Sequence, residues 1–295
     1  MINIDITKLP INKQFRRQLI KPDTWLIIPF DQDMAVPHPH VVIGEEKALV
    51  IDTTYTTLPL RQYIEECVTD KPLVVACSHS HFDHTDANWQ FNDCPIYMSA
   101  SAWEEISARR NKPAMGPAPV PKGDYVPTIL KPGDTIDLGG RIIEVIPYEG
   151  THSDTSLFYL DRKHHLLFTG DEIECGQMLV GGRPGSKNCI ERLRENIAKL
   201  IEDWGSEIEY LCPPHNGSPI HADFLGYLVE NCDRILSGIP GDQDVGSMTY
   251  LYNPSEGRPA EMIQRALDDP KSMRSEWKGT SIVYNVDRVF KSQVE

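Results

Sequence analysis

The sequence predicts an α/β fold in which one layer plan occurs twice. Short apolar runs typical of buried strands alternate with amphipathic helical segments along the chain. The succession of strand, strand and helix occurs in both halves, without a repeat of fixed period. Polar loops follow several of the strands, which is where α/β proteins tend to place ligand chemistry. We therefore expect a layered α/β protein with its functional groups at strand ends.

The N-terminal half begins with a meander of strands. Three short apolar runs predict these strands, over residues 24–30, 37–43 and 48–51. The last strand ends at Asp52, and Thr57 is a suitable N-cap for an amphipathic helix that Pro72 ends. Residues 73–77 form an uninterrupted apolar run, short enough for a buried strand, which leads directly into His79.

The next segment contains three shorter elements and a long irregular stretch. A short helix over residues 86–91 and a strand over 96–98 precede a capping box, Ser101 with Glu104, that opens another helix. Residues 111–127 are rich in proline and glycine and predict no packed element. We interpret this stretch as a surface loop or as a lid over the substrate pocket, because long structureless loops in compact domains are often functional.

The C-terminal half continues the alternation of strands and helices. Strands are predicted over residues 135–138, 142–146, 156–160, 166–168 and 208–212. A Gly-rich segment over residues 176–185 leads into an amphipathic helix that runs from a cap near Asn188 to Gly205. A further helix is predicted over residues 222–236.

Domain organisation follows from the length of 295 residues, which allows one large domain. We assign residues 1–240 to that domain and residues 241–295 to a C-terminal elaboration packed on it. The elaboration is predicted to contain strands at 248–252 and 280–286 around a helix at 260–267.

The charge and hydropathy of the chain disfavour two classes of partner. The net charge is -14, from 29 basic and 43 acidic residues, and would repel a phosphate backbone. No stretch approaches the roughly 18 apolar residues that a membrane helix needs. The amino terminus lacks a cationic segment followed by an apolar run. We expect a cytoplasmic protein with a small-molecule substrate, no nucleic-acid partner and no membrane span, and leave an oligomer open.

The seven cysteines are scattered along the chain and never form a CxxC pair. An odd and unpaired set suggests neither a disulfide framework nor a thiolate zinc site. We expect these cysteines to pack in the core.

The densest set of chemical groups is the motif Ser-His-Ser-His-Phe-Asp-His-Thr over residues 78–85. Its side chains are His79, His81, Asp83 and His84. Imidazole nitrogens and a carboxylate so close together are the ligands that zinc and similar divalent ions select. Three later loops also follow predicted strands and carry candidate ligands, namely His152, Asp171 and His215.

Together these pieces resemble the metallo-β-lactamase-fold superfamily. The matching motifs are HSHFDH, GTHSDTS, FTGD and PPHNG, and the resemblance covers about residues 24 to 235. It implies a four-layer αββα sandwich with a two-metal site at one edge. Carried over, the first ion would be bound by His79, His81 and His152, and the second by Asp83, His84 and His215. Asp171 would bridge the two ions, and Asp52 would orient the metal-binding loop from outside the ligand set.

The types of ligand residue indicate which branches of the superfamily the chain resembles. A complete set of histidines and aspartates resembles the glyoxalase II, lactonase and phosphodiesterase branches, rather than β-lactamases with a cysteine at the second metal. The flavodiiron branch has a glutamate where His81 stands. The implied cofactors are two divalent ions, with zinc leading and iron or manganese open. Asp86-Ala87, Pro214 and Asn216 replace glycines that are common in relatives, and none of these changes removes a ligand.

The expected function is that of a metal-dependent hydrolase of an ester-like substrate, namely a lactone, carboxylic ester or thioester. Hydroxide held between two ions would attack the carbonyl, and Asp83 or Asp171 would accept a proton. The alternative is a persulfide dioxygenase-like enzyme with one iron on His79, His152 and Asp171. A phosphodiesterase and a non-catalytic binding protein remain as further alternatives.

Other residues are candidates for the wall of the pocket. His38 and His40 belong to the early hairpin, which can face the active site in this fold, and His221 lies near His215 at a helix start. Four residues of the tail are weaker candidates, namely Met248, Tyr250, Tyr252 and Trp277.

Overall fold

The computed structural model describes residues 5–30, 36–56, 58–110, 124–180, 186–239, 243–244 and 272–295. Within these residues the strands form three sheets. The first sheet has seven strands in sequential order: β1 (Phe15–Lys21), β2 (Thr24–Pro29), β3 (His40–Ile43), β4 (Ala48–Ile51), β5 (Leu73–Ala76), β6 (Ile96–Met98) and β7 (Thr128–Ile129). Strands β1 to β4 are antiparallel to their neighbours, whereas β4 to β7 run parallel.

The second and third sheets come from the C-terminal half. In spatial order, the second sheet contains β14 (Ile220–His221), β13 (Tyr210–Cys212), β11 (Leu166–Phe168), β10 (Phe158–Asp161), β9 (Ile142–Ile146) and β8 (Thr135–Asp137). The third contains β12 (Met178–Val180), β17 (Thr280–Asn285), β16 (Ser272–Trp277) and β15 (Gln243–Asp244). The helices are α1 (Leu60–Cys67), α2 (Phe82–Thr85), α3 (Ala100–Arg110), α4 (Ile190–Trp204) and α5 (Asp223–Leu236).

Side-chain alternation along the central strands produces the layers. Leu49 of β4 packs between the two large sheets, whereas its neighbour Val50 packs on the side of α1 and α3. In the second sheet Tyr159 of β10 faces the same inter-sheet core, and Leu160 faces α4 and α5. The central strands of the two large sheets are therefore buried on both faces, as expected for strands that read as continuous apolar runs. The result is a four-layer αββα sandwich, and the predicted fold class is confirmed.

Arg141, which is only 2% exposed, joins the two large sheets at one end of the sandwich. Its Nε donates to Asp161 Oδ2 at 2.9 Å, within the second sheet. Its Nη1 donates to the carbonyl oxygens of Asp23 and Ile43, at 2.9 and 3.1 Å, on the side of the first sheet. This end is opposite the edge at which β4 and β5 finish, because Ile43 pairs with Ala48 at the start of β4.

The C-terminal strands complete the third sheet and pack on the helices. Strand β17 pairs in parallel with β12, and Ile282 of β17 is buried in the same core as α4 and α5. Asn231 of α5 donates to Ser275 O at 3.0 Å and to Thr280 Oγ1 at 2.8 Å. The predicted strand at 280–286 is thus found, but the domain division at residue 240 stays a prediction.

Some local predictions were wrong and others fall outside the described residues. Strands β1 and β16 were not predicted, and Ser99 rather than Ser101 caps α3, since Ser99 Oγ accepts from Ala102 N at 3.1 Å. The N-cap of α4 is Cys189, without a side-chain hydrogen bond, rather than Asn188. Outside the description lie Thr57 and the predictions for residues 111–123, 181–185, 248–252 and 260–267. Within the described part of the chain, no helix has the length and apolar character needed to cross a membrane.

Candidate metal centre

The candidate ligands meet at the edge of the sandwich where the parallel strands end. Strands β4 and β5 are parallel neighbours in the first sheet, and β11 and β13 are parallel neighbours in the second. Their C-terminal ends therefore bring together the loops that follow them. Asp52 follows β4, the His79 loop follows β5, Asp171 follows β11 and His215 follows β13.

Seven side chains form two groups that share one carboxylate. The first group contains His79, His81, His152 and Asp171. The second group contains Asp83, His84, Asp171 and His215. Within each group one ligand atom per residue lies within 4.8 Å of all the others. The structure thus brings together every residue for which the sequence predicted a metal-binding role, and Asp171 stands between the groups.

The contacts between histidine rings in each group fit a shared ion better than hydrogen bonds. His81 Nδ1 lies 3.1 Å from His152 Nε2, and His84 Nε2 lies 3.3 Å from His215 Nε2. Two nitrogens that bind one tetrahedral zinc ion at about 2.0–2.1 Å would be about 3.3 Å apart. Neutral imidazole nitrogens and carboxylate oxygens are also the donor set that divalent transition metals prefer. The residues present therefore fit a divalent ion in each group.

His79 shows how the site leaves one ring nitrogen available to bind a metal ion. Its ring is 1% exposed, and Nδ1 lies 3.0 Å from Ser78 Oγ. Among the described residues Nε2 has no hydrogen-bond partner, although it is buried 3.7 Å from Asp171 Oδ2. Burial and the neighbouring histidines hold the pKa of His79 well below its ordinary value, so the ring is neutral. A buried neutral nitrogen without a partner is suited to metal ligation.

Asp52 holds the His79 loop from outside the two groups. Its Oδ1 accepts a hydrogen bond from Ser78 N at 2.7 Å, and its Oδ2 accepts from Ser78 Oγ at 2.7 Å. Oδ2 also lies 2.9 Å from His84 Nδ1, which leaves Nε2 of that ring for the second group. These contacts match the orienting role predicted for Asp52, which stays a proposal.

Asp171 is held among the rings by a turn that requires glycine. Gly170 has φ of 50°, and a Cβ there would lie 2.8 Å from Ser78 Oγ. Burial alone would raise the pKa of Asp171, but His215 and His84 outweigh it and hold that pKa well below its ordinary value. Burial likewise opposes protonation of His215, but Asp171 raises the pKa of that ring to about 9. Asp171 is therefore a carboxylate, the form that binds metals.

Three residues that hold the ligand loops were missed from the sequence. Glu172 accepts hydrogen bonds from the backbone around His152, at 2.6 Å from Thr151 N and 3.0 Å from His152 N. Glu174 Oε2 accepts from Asn216 Nδ2 at 2.9 Å, beside His215, and burial raises its pKa to about 8. Arg109 of α3 donates to Ser80 O at 2.7 Å. The two glutamates follow Asp171 closely in the sequence, whereas nothing in the sequence pairs Arg109 with the His79 loop.

The histidines proposed for the pocket lie in three different settings. His40 is buried, and its Nε2 lies 3.1 Å from Ser218 Oγ, while burial lowers its pKa to about 3. His38 is also buried, and its backbone N–H donates to Pro214 O, next to His215. His221 is exposed on an open groove of about 770 Å³ whose lining includes no residue of the two metal-ligand groups. A pocket role for these histidines stays a prediction, as it does for the partly described tail.

Comparisons with known proteins agree with this geometry. A family model described as the metallo-beta-lactamase superfamily matches residues 37–215. The acyl-coenzyme A thioesterases MBLAC2 of Gallus gallus and Homo sapiens are each 27% identical to this chain over 47% of its length. The coenzyme F420H(2) oxidase of Methanocaldococcus jannaschii is 27% identical over 45% of the chain. These alignments span 58% and 59% of the two thioesterases and 32% of the oxidase.

Solved structures show the same fold at low identity. A metallo-beta-lactamase from Pontibacter korlensis superposes with a TM-score of 0.57 and 16% identity, covering 75% of this chain and 99% of that one. The DIM-1 metallo-beta-lactamase gives a TM-score of 0.57 and 18% identity, covering 75% of this chain and 98% of that one. Since the family model spans more than half of the residues, this chain belongs to the metallo-beta-lactamase superfamily.

Proposed function

We propose that this chain is a metal-dependent hydrolase of thioesters that uses two divalent ions. The observation that carries the proposal is the complete ligand set, in two groups that share Asp171. His79, His81 and His152 would hold the first ion, and Asp83, His84 and His215 the second. Two ions bound in this way activate water and polarise a carbonyl oxygen.

Among ester-like substrates we favour a thioester because of the names of two relatives. Two proteins that resemble the chain over 47% of its length are named acyl-coenzyme A thioesterases. A thioester carbonyl needs the same activated water and the same charge stabilisation as a lactone or carboxylic ester. The net charge of -14 argues against a phosphodiester substrate.

Asp171 and Asp83 have different proposed roles. Asp171, with 7% of its side chain exposed, is surrounded by four histidines, so its role is to hold the two groups together. The Asp83 side chain is 24% exposed and lies 3.8 Å from His84 Nε2. Because Asp83 reaches both the site and solvent, we assign to it the transfer of a proton from the attacking water.

Zinc is the proposed metal, and the cytoplasm is the proposed compartment. The His/Asp donor set suits zinc, and the close pairs of nitrogens suit its tetrahedral geometry. All seven cysteines are free thiols, as is usual in a reducing compartment. A persulfide dioxygenase-like enzyme with one iron on His79, His152 and Asp171 is the second candidate, but it would leave the Asp83, His84 and His215 contacts without a role.

The proposal is tested by measuring metal content and activity on one preparation. We expect about two zinc ions per chain, and thiol release from acyl-coenzyme A substrates under anaerobic conditions. Asp83→Asn should lower kcat by about 10²- to 10⁴-fold, as is typical for loss of a general base. His165→Asn, at an exposed turn with φ of 55°, is the matched control and should retain wild-type activity.

Two results would overturn the proposal. One iron per chain with oxygen uptake would favour the persulfide dioxygenase-like enzyme. A protein loaded with two ions that leaves thioesters, lactones and carboxylic esters intact would indicate a binding protein.

A further inference from the structure

Glu172 has an unusually complete set of hydrogen bonds for a buried carboxylate. Its side chain is on the turn directly after Asp171, and the residue is 1% exposed. Oε2 accepts from Thr151 N and His152 N, at 2.6 and 3.0 Å. Oε1 accepts from Ser153 N at 2.9 Å and from Ser156 Oγ at 2.6 Å. Three consecutive backbone amides therefore converge on one side chain.

This arrangement ties the backbone of His152 to the backbone of Asp171. A buried carboxylate is costly unless hydrogen bonds compensate for its lost hydration, and here both oxygens are compensated. The packing leaves no room for a side chain at position 150, since a Cβ on Gly150 would lie 1.9 Å from Ser153 O and 2.7 Å from Glu172 Oε1. The loop is thus held in one conformation, with His152 Nε2 3.5 Å from Asp171 Oδ2.

The loop of His215 in the second group is held by a different carboxyl group, that of Glu174, two residues after Glu172. Glu174 Oε2 accepts from Asn216 Nδ2, next to His215, and Cys175 Sγ donates to Asn216 O at 3.3 Å. A Cβ on Gly176 would lie 2.1 Å from the Asn216 side chain. The side chain of Glu172 accepts its hydrogen bonds from the His152 loop, and the side chain of Glu174 accepts its hydrogen bond from the His215 loop.

We propose that Glu172 is a positioning residue that sets the affinity of the first group for its ion separately from that of the second group. The inference rests on the proposed metal-binding role of the two groups, but not on the thioester as substrate. Glu172 contacts the backbone of His152 but no ligand atom of either group, and it acts by fixing the loop from which His152 reaches the ion. Outer residues of this kind commonly change metal affinity by about 10- to 100-fold.

The test is a titration of metal-free protein with Co²⁺, followed by the visible absorption of the bound ion. Wild-type protein should bind two equivalents. Glu172→Gln keeps the size of the side chain but turns one acceptor into a donor that faces backbone N–H groups. We expect one equivalent to retain its wild-type affinity and absorption, and the other to bind about 10- to 100-fold more weakly with an altered spectrum.

Two further variants separate positioning from a general loss of stability. Ser156→Ala removes only one hydrogen-bond donor to Glu172. It should weaken the binding of the same Co²⁺ equivalent by a smaller factor. Asp161→Asn alters a buried carboxylate at the opposite end of the sandwich, and should lower the unfolding temperature while both Co²⁺ affinities stay unchanged.

The outcomes distinguish this inference from the proposed function. If wild-type protein binds no Co²⁺, the proposed metal-dependent function fails. If wild-type protein binds two equivalents and Glu172→Gln leaves both affinities unchanged, or weakens both equally, only the positioning role of Glu172 is overturned.

Discussion

Asp52 adopts a left-handed backbone conformation, with φ of 60°, where β4 ends. Non-glycine residues in this region are uncommon and cluster at functional sites. The conformation lets one carboxylate reach Ser78 on the way to His79, and also His84. Asp52 therefore contacts His84 of the second group and Ser78, the residue next to His79 of the first group. The contacts of Glu172, in contrast, are on the His152 loop.

Asp52→Asn is expected to weaken the binding of both ions. The amide can replace only one of the two acceptor oxygens, so Ser78 or His84 loses its partner. We expect about a 10- to 100-fold loss of affinity at each equivalent in the Co²⁺ titration. Asp23→Asn is the matched control, because Asp23 also has a positive φ, of 58°, but is exposed. A loss confined to one equivalent would contradict the prediction.

Gly170→Ala is expected to destabilise the protein through contact with Ser78. The new Cβ would lie 2.8 Å from Ser78 Oγ at a φ of 50°. Gly133→Ala is the control, since its φ is 92° and no atom lies within 4 Å of the new Cβ. Both changes should cost about 1–2 kcal/mol for backbone strain, and Gly170→Ala about 1–3 kcal/mol more for overpacking. Urea unfolding of the metal-free variants measures the difference, and equal losses would contradict the steric explanation.

Elements were predictable from the sequence where burial imposes a pattern. Strand β11 was predicted with its observed bounds because Leu166, Leu167 and Phe168 are all buried between layers. Strand β1 was missed because it is an edge strand whose central residues, such as Arg16 and Arg17, are exposed and polar. Glu172 and Arg109 could not be assigned because their roles depend on contacts between elements distant in the sequence.

The C-terminal strands are expected to unfold together with the rest of the chain. Ile282 of β17 is fully buried in the core that α4 and α5 share. Ile282→Ala should therefore lower the stability of the whole chain by about 2–5 kcal/mol, measured by urea unfolding. Val286→Ala, at a position 40% exposed, should have little effect. A separate transition for residues 272–295 would contradict the proposed packing of the tail on the main domain.

At the scale of the whole molecule, the ligands come from both large sheets. His79, His81, Asp83 and His84 follow the first sheet, whereas His152, Asp171 and His215 belong to loops of the second. The resemblance to the superfamily predicted that these loops meet at one edge. Which hydrogen bonds hold them there could not be predicted, because those bonds depend on side-chain packing.

Removal of metal is expected to lower the stability of the protein as a whole. An ion that binds only the folded state stabilises that state by about 4 kcal/mol when its free concentration is 1,000 times its dissociation constant. A chelator should therefore lower the unfolding temperature by at least about 5 °C. Zinc added after removal of the chelator should restore it, whereas magnesium, which prefers six oxygen ligands, should not. An unfolding temperature indifferent to the chelator would contradict a bound ion in either group.

The separation of the ligands along the chain means that bound ions would link distant parts of the folded chain. His81 and His152 are 71 residues apart, and His84 and His215 are 131 residues apart. In a disulfide-bonded protein, a covalent cross-link over about 100 residues restricts the unfolded chain by more than 4 kcal/mol. This chain has seven free thiols and no disulfide, so its long-range cross-links would be coordinate bonds that form and break with the supply of metal. Because such bonds are lost on unfolding, they would stabilise the folded state only while metal is bound, whereas a disulfide also restricts the unfolded chain.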